Sequence, residues 1–331
     1  MSRPVHLPLP HVRVAAPARL HLGFVDLDGS LGRRFGSIGL TLDAPATVVG
    51  LRQAAADVAS GPDSERAVRH LAALRRAWGV DAAVALSVER AIPPHAGLGS
   101  GTQLGLAVGL GLARLHGIAA TPEAVAAILD RGARSGIGVA AFAQGGFVVD
   151  GGKALGDTAP PPVIARLPFP EAWRVLLIQD DSARGVHGAA EKAAFDGLPA
   201  FPSALAAHLC RLVLMRLLPG IARADIEAAG LAVGEIQRAV GDHFAPFQGG
   251  GRFTSARTAE VSGWLERRGV AGVGQSSWGP TGFALLADAA TAEGLAAEAG
   301  ERFAGSGLGF SVVAGRNRPG VIETVGREAE R

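Results

Sequence analysis

Pro94-His95-Ala96-Gly97-Leu98-Gly99-Ser100-Gly101-Thr102-Gln103 is the stretch on which the reading of this chain turns. Three glycines alternate with other residues, and an apolar run of helical character follows over residues 100–115. Glycine lets a backbone approach a ligand closely and turn its N–H groups inward. A helix starting at such a loop aims its positive end at the same point. Ser100 and Thr102 add two hydroxyls. The stretch therefore suits a phosphate or pyrophosphate, and equally a glycine turn and helix start that bind nothing. It is not a P-loop, since no Lys-Ser/Thr pair follows, and the dinucleotide-binding fingerprint does not fit.

The flanking sequence supplies the layers around this loop. Residues 12–15, 19–24, 37–42, 46–51 and 83–88 are predicted as strands, with a turn over 26–29. Residues 64–78 have helical spacing, with Val68, Leu71, Leu74 and Trp78 on one face. Thr121-Pro122-Glu123 opens a helix that runs to about residue 134, with Thr121 as its cap, and a strand follows over 147–149. Thr158-Ala159-Pro160-Pro161-Pro162 is the strongest breaker and sets the expected boundary, giving domains 1–168 and 169–331. A strand over 163–167 closes the first half. The second half reads as strands over 173–179, 281–286 and, last, 310–313, with helices over 203–218, 224–240, 258–268 and 291–304. Strands mixed with helix pairs predict an α+β protein with helices packed on one face of a sheet.

Three further segments carry chemistry. In Pro17-Ala18-Arg19-Leu20-His21-Leu22-Gly23-Phe24-Val25-Asp26, a strand over 18–24 puts Arg19, His21 and Gly23 on one face. Ala18, Leu20, Leu22 and Phe24 take the other, and Asp26 ends the strand. Gly274-Gln275-Ser276-Ser277-Trp278-Gly279-Pro280-Thr281-Gly282-Phe283 is a loop dense in hydroxyls and glycines, suited to a ligand or to a tight connection with Trp278 as a core plug. Arg131-Gly132-Ala133-Arg134-Ser135-Gly136-Ile137-Gly138 ends a helix with two guanidinium groups. His187, with Glu191 shortly after, is a lesser cluster. Cys210 lies in an apolar helical run and reads as a small buried hydrophobe.

Composition limits the function classes. At 331 residues the chain is long enough for about two domains, and 48% hydrophobic residues leave ample material for a core. Glycine contributes 47 residues, about double the usual ~7%. The sequence pI is about 9.3, yet the net charge is only +2. With no Tyr and one Cys, little titrates between His and Arg, so a small excess of base lifts the pI. That is no nucleic-acid footprint, which needs a clustered basic face. Lys153 and Lys192 are the only lysines, so guanidinium forks carry nearly all the positive charge. One cysteine excludes an internal disulfide. Residues 91–113 contain no charged side chain, but two prolines, a histidine and six glycines disqualify them as a membrane span. With no apolar signal segment near residue 1, the cytoplasm is the expected location.

The three glycine- and hydroxyl-rich motifs, in this order, resemble those of the GHMP kinase superfamily. The resemblance implies a ribosomal-S5-like first domain, a ferredoxin-like second domain and a site in the cleft between them. Those kinases carry a Ser-Gly-x-Asp segment with a catalytic carboxylate, whereas this chain has Ser135-Gly136-Ile137-Gly138. The wording around Arg19–Leu27, Gly97–Gln103, Ser135–Phe142 and Gln275–Pro280 is similar to one branch, the β-ribofuranosylaminobenzene 5′-phosphate synthases. That branch implies condensation of 5-phosphoribosyl-1-pyrophosphate with 4-aminobenzoate, releasing CO2 and pyrophosphate on the route to tetrahydromethanopterin. 4-Hydroxybenzoate differs from that acceptor by one polar group. Mg2+ is expected, and no organic cofactor. Arg19, His21 and Asp26 are expected at the reaction centre. Gly97, Leu98, Gly99, Ser100, Gly101, Thr102 and Gln103 are expected around the pyrophosphate. Arg134, Ser135, Gly136, Gln275, Ser276, Ser277, Trp278 and Gly279 complete the expected substrate contacts, with Arg19 or Arg134 on the acceptor carboxylate. The alternatives are an ATP-dependent small-molecule kinase with a displaced base and a non-catalytic sensor of phosphorylated metabolites. A homodimer is an expectation of the resemblance alone.

Overall fold

The structure is a computed structural model and describes residues 11–154, 156–157, 159–185 and 188–325. His187 lies outside the described residues.

The first half builds one sheet from β1 (His11–Asp26), β2 (Arg33–Gln53), β3 (Val58–Ser60), β4 (Val84–Arg90), β5 (Phe147–Asp150), β6 (Lys153–Ala154) and β7 (Val163–Leu167). Its helices are α1 (Ser64–Trp78), α2 (Ser100–His116), α3 (Pro122–Ile128) and α4 (Ile137–Ala143). The two short strands expected on either side of Pro17 are one long β1, whose register against β2 slips between Pro17 and Arg19 and again between His21 and Gly23. A slip of this kind moves side chains to the opposite face. Val12, Val14 and Ala16 accordingly join the core under α1, α2 and α3, while Leu20, Leu22 and Phe24 join the core shared with the second half. α2 is buried almost all round, which explains its unbroken apolar sequence.

The second half continues with β8 (Arg174–Asp180), α5 (Gly188–Gly197), α6 (Ser203–Leu212), α7 (Leu218–Ala222), α8 (Ile226–Phe244), α9 (Ala256–Arg267), β9 (Val273–Gln275), β10 (Gly282–Leu286), α10 (Ala289–Arg302) and β11 (Leu308–Ala314). Its sheet runs β11-β8-β10-β9, all antiparallel, which is the ferredoxin-like order of fourth, first, third and second strand. This sheet is apolar on both faces, contrary to the expectation of helices on one side. Leu176, Ile178, Ala284 and Leu286 pack with α9 and α10, while Val175, Leu177, Phe283 and Leu285 pack toward α8 and β1. A π-helical turn over Val213–Leu217 joins α6 to α7, making a run over Ser203–Ala222 with mean hydropathy 1.5. This is the segment whose length and composition would pass for a membrane span. Leu209, Leu217 and Ile221 pack one side of it against the core, while Leu214 and Met215 stand exposed on the other.

Residues 310–313 are not the last strand. β12 (Val321–Val325) follows and pairs antiparallel with β1, in the sheet of the first half. A cut at residue 168 therefore separates the two sheets except for this returning strand. Cys210 is exposed rather than buried, with Sγ 3.7 Å from the Val25 carbonyl oxygen. Partial desolvation and then Asp26 raise its pKa, which disfavours the thiolate.

Candidate functional site

Where β1, the loop before α2 and the loop before β10 meet, one hydroxyl ties all three. Ser276 Oγ accepts from the His21 N–H at 3.0 Å and donates to the Gly97 carbonyl oxygen at 2.6 Å. The Ser277 N–H adds a bond to the His21 carbonyl oxygen at 3.2 Å, and the Arg19 N–H donates to Leu98 O at 3.1 Å. The crossing is possible only without side chains. A Cβ on Gly97 would lie 2.2 Å from Ser276 O, and one on Gly279 would lie 2.4 Å from Gly97 Cα. Gly185 joins them, its N–H donating to His95 O at 3.1 Å.

Against this crossing lies a cavity of about 390 Å³ lined by Gly97, Gly99, Ser100, Gly101 and Thr102 on one side and by Ser277, Trp278 and Gly279 on another. Asp225, Ser255 and Asp288 cap α8, α9 and α10 with side-chain oxygens, but α2 starts at Gly99 with no side-chain cap. Its first-turn N–H groups and the positive helix end thus lie at the cavity wall. Three guanidinium groups line the same space: Arg19, Arg66 and Arg131. Arg19 Nη1 donates to Gly97 O at 2.5 Å. A Cβ on Gly101 would lie 3.5 Å from Arg131 Nη1 and 3.7 Å from Arg66 Nη1, so both forks converge on the first turn of α2. Arg66 pairs with Asp63, and burial followed by Arg66 lowers the pKa of Arg131. No carboxylate is among the lining residues. His95 adds an imidazole to the lining. The arrangement can hold a polyanion and offers no carboxylate as a base.

Several expected site residues stand elsewhere. His21 is buried behind Ser277 and Trp278, where it lines a second cavity of about 20 Å³ with Phe24, Phe244 and Gln275. Burial, and then Arg19, push its pKa down to about 3, so it is neutral at physiological pH. Asp26 closes the turn after β1, its Oδ1 accepting from the N–H groups of Asp28 at 2.9 Å and Gly29 at 3.0 Å. Gln103 is fully buried and donates to Gly138 O at 2.7 Å, pinning α4 to α2. Ser135 and Gly136 hang from the buried carboxylate of Asp150, the Gly136 N–H donating at 2.9 Å. Arg134 lies 4.7 Å over the Phe195 ring and not in the anion cavity. Gln275 serves the second half, bonded to Gln248 at 2.6 Å and to Thr254 at 2.8 Å.

Sequence reasoning missed Arg66 and chose Arg134 over Arg131. α3 stops at Ile128, and positive φ at Asp130 and Gly132 turns the chain sharply, separating the two arginines. Had 121–134 been one helix, as expected, both would have shared its end.

Mg2+, expected from the leaving group, finds no fit in the side chains. Mg2+ is ordinarily held by one or two carboxylates in addition to substrate phosphates. The cavity lining has none, and among the described residues no three His, Cys, Asp or Glu side chains gather. The positive charge here is guanidinium.

Two sheets meeting at a glycine-lined, cationic cleft define a class of protein. Residues 65–146 match the family described as GHMP kinases N terminal domain, and residues 217–305 match GHMP kinases C terminal. In fold the chain is similar to homoserine kinase from Cytophaga hutchinsonii, with TM-score 0.63, 17% identity and coverage of 98% of this chain and 99% of that one. It is also similar to mevalonate diphosphate decarboxylase from Staphylococcus aureus, with TM-score 0.67, 14% identity and coverage of 97% and 100%. In sequence it is 35% identical over 294 residues to the β-ribofuranosylphenol 5′-phosphate synthase of Methanothermobacter thermautotrophicus, covering 82% of this chain and 88% of that protein. The synthase of the same name from Archaeoglobus fulgidus is 35% identical over 237 residues, covering 68% and 75%. The chain belongs to the GHMP kinase superfamily and, within it, to the family of the β-ribofuranosylphenol 5′-phosphate synthases.

Proposed function

We propose that this chain joins 5-phosphoribosyl-1-pyrophosphate to a para-substituted benzoate, releasing CO2 and pyrophosphate. The observation that carries this reading is the cavity itself, with three guanidinium groups, an uncapped helix start and no carboxylate. Departure of pyrophosphate from ribose C1 leaves an oxocarbenium-like carbon, and the barrier falls when fixed donors stabilise the departing charge. The first turn of α2 and the arginines supply such donors. The acceptor attacks through the ring carbon bearing the carboxylate, made electron-rich by the para group. A bond forms between that carbon and ribose C1. The bond to the carboxylate then breaks, its electron pair restores the aromatic ring, and CO2 departs. No proton is abstracted from carbon, so no base is required.

That balance agrees with Gly138 at the position where the kinases carry a carboxylate. A Cβ there would already lie 3.1 Å from Thr102 Cγ2. The neutral His21 does not act as a proton carrier at physiological pH. The relatives are named for a phenol product, which carried to this chain makes 4-hydroxybenzoate the acceptor beside 4-aminobenzoate.

The test is release of labelled CO2 from each carboxyl-labelled benzoate with phosphoribosyl pyrophosphate and Mg2+ supplied, beside an ATP-consumption control. Release that depends on the pyrophosphate donor and needs no ATP is expected. ATP consumption without CO2 release would return the chain to kinase chemistry.

A further inference from the structure

We propose that Arg66 and Arg131, together with Arg19, form a guanidinium clamp that binds the pyrophosphate group of the donor directly, across the first turn of α2. The proposal deepens the proposed function and rests on it only for the identity of the donor. Two observations outside the family motifs carry it. Arg66 comes from the first turns of α1 and Arg131 from the loop after α3, yet both forks reach the wall at Gly101. Each also keeps its Nε buried without a hydrogen-bond partner.

Guanidinium groups brought together repel, and an ordinary fold offsets such a cluster with carboxylates. Here Asp63 pairs with Arg66 and Asp130 offsets Arg131 in part, but among the described residues nothing acidic lines the cavity itself. An anionic ligand therefore suits the space between the forks. Its class follows from the lining. A nucleobase needs an apolar or aromatic slot, whereas the rings lining this space among the described residues are the His95 imidazole and Trp278, which is 3% exposed. A single phosphate has too little charge and span for three forks entering from β1, α1 and the loop after α3. A pyrophosphate presents two phosphoryl groups, each able to take a bidentate fork. The clamp would thereby do at the leaving group what the carboxylate-free lining leaves undone for a metal ion.

The test is calorimetric binding of inorganic pyrophosphate in EDTA, so that only the protein's own cations act. The wild-type chain should bind pyrophosphate and bind orthophosphate at least about tenfold more weakly. Arg131→Gln and Arg66→Gln should each weaken pyrophosphate binding at least about tenfold, the loss expected of one charge-assisted bidentate contact. Arg131→Lys should recover part of the loss. Wild-type affinity in a folded Arg131→Gln variant would overturn the clamp, as would binding that appears only when Mg2+ is added. Should Arg131→Gln fail to fold, Arg66→Gln, in the first turn of a surface helix, carries the same reading. Pyrophosphate binding with no CO2 release would defeat the synthase reading and leave the clamp standing.

Discussion

His70 sits directly behind the cationic cleft and registers its field. It is 6% exposed, its Nε2 has no partner, and its pKa is lowered to about 4 by burial, then by Arg131, Arg66 and Arg69. The folded value lies below the unfolded one of about 6.5, so the fold favours the neutral ring. The stability it contributes is fully present above pH 6.5 and is lost as pH falls toward 4, because only the unfolded chain takes up the proton. His70→Leu should therefore match the wild type near pH 7.5, where a partnerless nitrogen is merely removed. At pH 5 it should exceed it by up to about 2 kcal/mol. Urea unfolding at the two pH values decides the matter; parallel losses in both proteins would put the acid sensitivity elsewhere. At this scale the sequence was legible where a backbone did the work and poorly legible where a side chain did. Gly97, Gly99, Ser100, Gly101 and Thr102 line the cavity as expected, since helix starts and glycine turns are local. For Asp26 and Gln103 the motif alone did not reveal that the side chains close a turn and pin a helix, because a polar side chain near a motif serves either purpose.

Between elements, the glycine crossing sets the geometry of the cleft. Gly279 packs on the Gly97 backbone so closely that any Cβ would meet Ala96 O, Gly97 N and Gly97 Cα at 2.4 Å. Backbone atoms cannot swing aside as a flexible side chain can. Gly279→Ala should then part the loops, lowering unfolding stability by roughly 2–3 kcal/mol and impairing pyrophosphate binding. Gly294→Ala, on α10 with nothing within 4 Å, is the matched control and should be neutral or slightly stabilising. Equal behaviour of the two variants in denaturant would remove the crossing from the architecture of the site. Each of the two motif loops could be found from its own composition. Their union through Ser276 could not, because His21 and Ser276 are 255 residues apart. Gly185 carries no local signal of its own role, and α4 lies just beyond the expected helix end at about residue 134.

Across the whole molecule, the layers were largely readable and the final closure was not. The helix over 64–78, the strand over 163–167 and the apolar helix after Gly99 follow from periodicity. Coverage of the second sheet on both faces does not, because a short apolar strand reads alike whether one face or two are buried. β12 escaped for a different reason: five residues after Pro319-Gly320 look like a tail until their partner, about 310 residues earlier, is known. That strand covers the outer edge of β1, and an uncovered edge invites pairing with other chains. Deleting residues 321–331 should lower the thermal midpoint and produce concentration-dependent aggregation, followed by light scattering. A truncated chain that melts and scatters like the full one would show that β1 needs no cover.

The same pairing sets a clock for the newborn chain. About 310 residues separate β1 from its outer neighbour, so the two leave the ribosome about 15–60 s apart at 5–20 residues per second. For that time the second sheet can form from segments already present while the first keeps one side unfinished. Of the two sheets, the one begun first is completed second, and with it the wall that carries Arg19.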